Sequence, residues 1–210
     1  MKPIFITGTG TDVGKTIISA IVTEALEADY WKPVQAGWEV GTDAGRVRQL
    51  VSNDTTVVHP ERYRLRMPAS PHIAARQEGI SLSVNDIVHH IPGTKRPLII
   101  EGAGGLLVPL NETSFMLDLI IALDARVIIV SKHELGSINH SLLTAAVLKQ
   151  AQVEVVGWIF NEEYLDYGTE IARWSGYPLI ASIPHLPSID ARMVRREALR
   201  IQPALQQQNL

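Results

Sequence analysis

The chain has 210 residues, 46% apolar and 20% charged, with a formal net charge of −3. This balance describes a folded globular protein large enough for a full core, and it gives no hint of nucleic-acid binding. Cysteine is absent, which excludes disulfides, thiol catalysis and cysteine-ligated metals and suits a reducing cytoplasm. No apolar run approaches the roughly 20 residues of a membrane helix, and the first strand leaves no room for a signal peptide. A cytoplasmic protein with no membrane or nucleic-acid partner is expected.

In chain order, an apolar strand is predicted over Pro3–Thr7, then a Gly/Thr-rich turn closed by Gly14-Lys15-Thr16 and a helix over Lys15–Ala28. A second strand, Tyr30–Pro33, precedes helices at about Ala44–Val51, His72–Glu78 and Ser83–Ile91. Strand Leu98–Glu101 leads to helix Ser114–Leu123, strand Val127–Ser131 to helix Ser137–Gln150, and strand Val155–Phe160 to helix Tyr164–Trp174. Strand Leu179–Ser182 and helix Ile189–Gln202 complete the order, and the polar QQQN tail is expected to fray. Arg192, Arg195, Arg196 and Arg200, with Glu197 among them, read as a solvated helix face. Most strands are rich in Ile and Val without polar alternation, as in strands covered on both faces. Strand-helix alternation with short connections predicts one α/β domain over residues 1–210: a mainly parallel sheet flanked by helices in three layers.

IFITGTGTDVGKT, residues 4–16, followed at once by a helix, is the order of a phosphate-binding loop. Small residues let backbone N–H groups converge on phosphate oxygens, Lys15 adds a mobile charge, and the Thr16 hydroxyl can ligate Mg²⁺. The following helix aims its positive end at the same anion. The loop is a variant, because the strict pattern places glycine where Thr9 stands. The site is expected beyond the carboxyl ends of the strands, at Thr7-Gly8, Lys32-Pro33, Glu101-Gly102, Ser131-Lys132 and Asn161.

Glu101, at the end of a buried strand in LIIEGAGG, is costly unless it meets a cation, and beside such a loop the natural cation is Mg²⁺. Asp43, just before a helix, reads equally as an N-cap and as a second metal ligand. Lys32 leaves its strand towards the phosphates, where it can stabilise charge during phosphoryl transfer. In LGSINHSLLTAAVLKQ, Ser137 can cap a helix whose free N–H groups beyond Gly136 can bind a carboxylate; His140 reads as an ordinary helical histidine. Asn161 can offer its amide to an adenine edge. The histidines lack metal-ligand spacing.

Together these segments resemble dethiobiotin synthetase, the ATP-dependent enzyme of the penultimate step of biotin synthesis. The resemblance is carried in order by GTGTDVGKT, WKPVQAG, TDA, SPHIAARQEG (Ser70–Gly79), EGAGGLLVPL (Glu101–Leu110), LGSINHSLLTA (Leu135–Ala145), GWIFNE (Gly157–Glu162) and SIPHLP (Ser182–Pro187). It implies a P-loop NTPase fold and a reaction of ATP, CO₂ or bicarbonate and 7,8-diaminopelargonic acid. One amine takes up CO₂ as a carbamate, the carbamate attacks the γ-phosphate, and the second amine closes the ureido ring. By resemblance, Asp12, Val13, Gly14, Lys15, Thr16 and Ile17 hold the ATP phosphates with Glu101 and Gly102, and Asn161, Ile183, Pro184, His185 and Leu186 hold adenine. Thr16, Asp43 and Glu101 hold Mg²⁺, and Lys15, Lys32 and Thr11 are the catalytic set. Thr11, Lys15, Lys32, Ala36 and Gly104 take the substrate, whose carboxylate is received by Gly136, Ser137, Ile138 and Asn139 of the second subunit of a homodimer.

The chain departs from the family at Ala36, where many members carry Ser or Thr, and at Gly10, where Asp is frequent. Neither departure touches the implied metal ligands. A cobyrinate-type amidotransferase synthetase shares the scaffold but usually adds a glutaminase domain with a nucleophilic Cys. The other alternative is a dimeric P-loop ATPase switch of the partition or septum-positioning type, which usually carries a second Lys early in the loop; Thr9 to Thr11 contain none.

Overall fold

The computed structural model describes all residues except Val40, Glu163, Tyr164, Asp166 and Pro187. In chain order the elements are β1 (Ile4–Gly8), α1 (Lys15–Leu26), β2 (Asp29–Trp31), β3 (Val34–Ala36), α2 (Asp43–Leu50), β4 (Tyr63–Leu65), α3 (Pro71–Gln77), α4 (Val84–His89), β5 (Leu98–Gly105), α5 (Met116–Ala122), β6 (Arg126–Lys132), α6 (Ser137–Gln150), β7 (Val155–Asn161), α7 (Gly168–Ser175), β8 (Leu179–Ile183) and α8 (Ala191–Gln207). Six strands form one sheet in the order β2-β5-β1-β6-β7-β8, with every neighbouring pair parallel. The P-loop strand β1 is therefore central, and all strand ends point to one rim.

Alternate residues of each strand go to opposite faces, and both faces are covered. Ile4 and Ile6 of β1 and Ile128 and Val130 of β6 join α1 and α8 in one core. Phe5, Val127 and Ile129 join Trp158 and Phe160 in the other, under α5, α6 and α7. Burying a side chain of this size contributes about 1.5–3 kcal/mol. The buried indoles of Trp31 and Trp158 also satisfy their polar ends: Trp31 Nε1 donates to the Pro60 carbonyl at 3.0 Å and Trp158 Nε1 to Ser175 Oγ at 2.9 Å.

Several sequence expectations are corrected. A parallel pair, β3 with β4, forms a second small sheet that the sequence does not announce, since strands of three residues are too short to show a period. β2 stops at Trp31, one residue before Lys32. β5 does not end at Glu101 but runs on through Gly105, so Glu101 sits within the strand, in register with Ile6. α1 ends at Leu26 because Glu27 turns left-handed and the Ala28 amide closes back on Thr23. The predicted helix Tyr164–Trp174 has Tyr164 and Asp166 outside the described residues, and the helix itself is α7.

The tail does not fray at QQQN. α8 continues to Gln207 with Leu205 fully buried, and Arg126 donates to the carbonyls of Gln208 and Asn209. Nor is the arginine cluster wholly solvated. Glu197 is buried between Arg196 and Arg200, the latter at 2.7 Å, and Arg200 also holds the Ser182 carbonyl.

Candidate ATP and cation site

The turn between β1 and α1 is built by close approach. Gly14 has φ 91°, and a Cβ there would stand 2.2 Å from Asn161 Nδ2. A Cβ at Gly8 would stand 2.8 Å from the Gly10 carbonyl and 2.9 Å from Lys15 Nζ. Both positions therefore demand glycine. The Gly14 carbonyl accepts the Ile17 and Ile18 amides, starting α1 at the loop's exit. Lys15 curls over the loop and donates to the Gly10 carbonyl at 2.7 Å. Burial lowers its pKa to about 8, against the attraction of Glu101.

Beside this loop, three oxygens meet. Thr16 Oγ1 lies 2.9 Å from Asp43 Oδ1 and 3.0 Å from Glu101 Oε1. Lys32 closes the group, 2.9 Å from Glu101 Oε1 and in contact with Asp43 Oδ2. Burial alone would lower the Lys32 pKa and raise that of Asp43, but the opposite charges win in both: Lys32 is raised by Glu101 and Asp43, and Asp43 is lowered by Lys32. Asp43 is the first residue of α2 and not its cap; Thr42 Oγ1 caps the helix by accepting the Gly45 amide at 2.9 Å.

Two residues that sequence reasoning missed hold this group in place. Gln35 accepts the Asp43 amide at 3.0 Å and donates to the Ala36 and Gly37 carbonyls. Tyr30 donates its phenol proton to Glu101 Oε2 at 2.8 Å, and burial followed by the Glu101 charge pushes its pKa well up. Tyr30 had a visible signal: a polar tip in a strand destined to be buried on both faces needs a partner.

The oxygen set fits Mg²⁺, a hard cation that commonly takes one or two carboxylates with phosphate oxygens and water. Among the described residues no three His, Cys, Asp or Glu side chains cluster for a metal, so a cation here would rest on two carboxylates and a hydroxyl.

The group opens into a cavity of about 830 Å³. Thr11, Asp12, Gly14, Lys15, Thr16, Ile17, Lys32, Ala36, Asp43 and Gly104 line it, joined by Val34, Gln35, Pro68, Ala69, Ser70, Pro71, Ala103 and Val108. Val13 is buried below the loop in the core, Glu101 lies behind Thr16, and Gly102 packs where a Cβ would meet Phe5 at 2.7 Å.

The remaining predicted residues stand apart from this cavity. Asn161, at the end of β7, donates to the Val13 carbonyl at 3.2 Å and rests on Gly14. Ile183 closes β8, with Pro184, His185 and Leu186 beyond it; Pro187 lies outside the described residues. Gly136, Ser137, Ile138 and Asn139 start α6, away from the cavity lining. Ser137 does not cap α6. Gly136, at φ 92°, is the N-cap, and the Ser137 hydroxyl lies 2.8 Å from Tyr167 Oη.

A family model described as an AAA domain matches residues 2–193. The ATP-dependent dethiobiotin synthetase of Cytophaga hutchinsonii is 45% identical over 96% of this chain and 97% of its own. That of Christiangramia forsetii is 43% identical over 97% and 98%. The chain belongs to the dethiobiotin synthetase family. Its fold is that of the P-loop NTPases: the MinD cell division protein of Aquifex aeolicus superposes with a TM-score of 0.59 at 15% identity, covering 99% of this chain and 96% of that one. The septum site-determining protein MinD of Pyrococcus horikoshii, solved with Mg-ADP, gives 0.58 at 17% identity, covering 97% and 90%. At such identities the likeness is one of fold.

Proposed function

We propose that this protein, as one domain over residues 1–210, is an ATP-dependent dethiobiotin synthetase acting in the cytoplasm on 7,8-diaminopelargonic acid. The observation that carries the reading is Lys32, held between Asp43 and Glu101 beside the Lys15-Thr16 loop and lining a cavity that Val34, Ala36, Pro68, Pro71, Ala103 and Val108 also line. Cationic lining suits the phosphates and a carbamate, and apolar lining suits an aliphatic chain.

One amine of the substrate adds to CO₂ and loses a proton, giving a carbamate. A carbamate oxygen attacks the γ-phosphorus, and the bond to the β-phosphate oxygen breaks to release ADP. The second amine then attacks the carbonyl carbon, the C–O bond to phosphate breaks, and the ureido ring closes. Lys15 and Lys32 neutralise charge on the transferring phosphoryl group and the carbamate, with Thr11 beside them. Thr16, Asp43 and Glu101 would hold Mg²⁺, which would supply further charge neutralisation at the phosphates. No enzyme nucleophile is required; holding the carbamate against the γ-phosphate supplies most of the rate.

In the same proposal Asp12, Val13, Gly14, Ile17 and Gly102 frame the phosphates, while Asn161 and residues 183–186 hold adenine. Gly136–Asn139 of a second subunit receive the substrate carboxylate. Support for a homodimer comes from Leu107, Ile121, Leu135 and Leu143, large apolar side chains exposed on α5, α6 and the loops before them.

The test is ADP release with Mg-ATP and bicarbonate, with and without the diamine, alongside mass detection of dethiobiotin. ADP and dethiobiotin in equal amounts, and only with the diamine, is the expected result. ATP hydrolysis indifferent to the diamine, with no product, rejects the proposal in favour of an ATPase switch.

A further inference from the structure

The cavity combines two kinds of lining. Lys15, Thr16, Lys32 and Asp43 give it charged and polar lining; Val34, Ala36, Pro68, Pro71, Ala103 and Val108 give it apolar lining. Among the lining residues, the segment Pro68–Pro71 carries one side-chain hydroxyl, that of Ser70.

Ser70 is unusual in what its hydroxyl does. It stands at the N-cap of α3, where serine ordinarily accepts a backbone amide of the first turn. Its backbone does its share, the Ser70 carbonyl taking the amides of Ile73 and Ala74 at 2.9 and 3.1 Å. The side chain makes no capping bond. Instead Ser70 Oγ lies 3.0 Å from His72 Nδ1. The helix start is thus held by backbone and by Pro71 at its first position, and the hydroxyl is diverted to the His72 imidazole.

Ala36 belongs to the same wall. β3 pairs with β4 through Ala36 opposite Leu65, the Gly37 amide donates to the Leu65 carbonyl at 2.9 Å, and Gly37 packs so tightly on Pro68 that a Cβ would stand 2.8 Å from its ring. The segment from Pro68 to Ser70 therefore continues the surface that Ala36 begins, and Ser70 carries the polar atom that Ala36 lacks.

We infer that Ser70 is a substrate-contact residue for an aliphatic amine, and that His72 is a positioning residue which fixes the direction of its hydroxyl. A serine hydroxyl has one proton and two lone pairs. When that proton is given to His72 Nδ1, only lone pairs remain for the cavity. An acceptor at the end of an apolar wall selects an N–H donor on a hydrocarbon chain over a carboxylate or phosphate. The inference rests on the proposed synthetase reading and deepens it: the contact serves one amine of the diamine while the phosphoryl chemistry proceeds at the phosphate loop.

The test separates diamine from nucleotide in steady-state kinetics. Ser70→Ala raises KM for the diamine about tenfold, the loss of one hydrogen bond, and leaves KM for ATP unchanged. Adding Ala36→Ser to that variant recovers part of the loss by restoring a hydroxyl to the same wall. His72→Asn, whose side-chain oxygen can replace Nδ1 as the acceptor, stays close to the wild type in KM, whereas His72→Phe follows Ser70→Ala. An unchanged diamine KM in a folded Ser70→Ala protein, or equal rises in both KM values, overturns the contact. Equal behaviour of His72→Asn and His72→Phe overturns the positioning role, and these two variants decide the matter if Ser70→Ala does not fold. The wild type is assayed alongside: absence of diamine-dependent product there removes the synthetase reading itself, while product from the wild type with unaltered variants removes this inference alone.

Discussion

Two clusters in this molecule share a plan, one charge held between two of the opposite sign. At the P-loop, Lys32 lies between Asp43 and Glu101; on α8, Glu197 lies between Arg196 and Arg200. In both the central group is almost wholly buried. They differ in what stands next to them. The α8 cluster is closed by the Ser182 carbonyl, and its arginines lean out into solvent, so every charge has its final partner. The P-loop cluster adjoins a cavity and a second cation, Lys15, which donates to the Gly10 carbonyl. The same arrangement is a clamp where the surroundings are closed and a place for chemistry where they are open.

The comparison is broken most severely at Lys15. Lys15→Ala is expected to lower kcat about 10³-fold, the scale of a lost electrostatic donor at a reacting centre, while circular dichroism and the melting temperature stay near those of the parent. Turnover close to normal would remove Lys15 from the reaction. Lys32→Met removes the cation from a buried group and is expected to cost about 3 kcal/mol of stability in denaturant melts without magnesium. Millimolar Mg²⁺ should then stabilise the variant more than the parent, because the two carboxylates are left without their lysine. Equal stabilisation of both proteins would argue against a cation between Thr16, Asp43 and Glu101.

A smaller effect belongs to the clamp. Glu197→Ala is expected to cost about 2 kcal/mol, less than Lys32→Met because the arginines it leaves are exposed and readily hydrated. Both KM values should be unmoved, and a change in ATP KM would show that α8 reports to the nucleotide.

The smallest effect is a pH dependence at Lys15, whose pKa is about 8 against an ordinary 10.5. The unfolded chain binds more protons between these values, so this residue makes the free protein more stable as pH rises from 8 towards 10.5. Nucleotide binding moves the other way. Phosphates favour the ammonium form, so above pH 8 binding takes up a proton and affinity falls by up to about tenfold per pH unit. Calorimetry in buffers of different ionisation enthalpy should detect that proton, and Lys15→Arg should abolish it; persistence in the arginine variant would assign the proton elsewhere.

Legibility in the sequence followed the range of each signal. The phosphate loop and the strands around it could be read because glycine, lysine, threonine and an uninterrupted Ile/Val run are local marks of local structure. β3 and β4 could not, since each is three residues long and has meaning only beside the other. Ser137 looked like a cap because serine before a helix usually is one, but Gly136 already turns the chain and Tyr167 engages the hydroxyl. Ser70 is the mirror case, a serine at an N-cap that the fold employs otherwise.

By itself, then, the sequence determined the α/β alternation, the phosphate loop and a set of polar residues at strand ends, because backbone preference and hydrophobic period are encoded within a few neighbours. Only the tertiary structure decided which of those residues meet. Residues 16, 32, 43 and 101 are brought within hydrogen-bonding distance because β5 lies between β1 and β2, an order that no local stretch contains. The same long-range packing made one charge cluster a clamp and left the other facing a cavity.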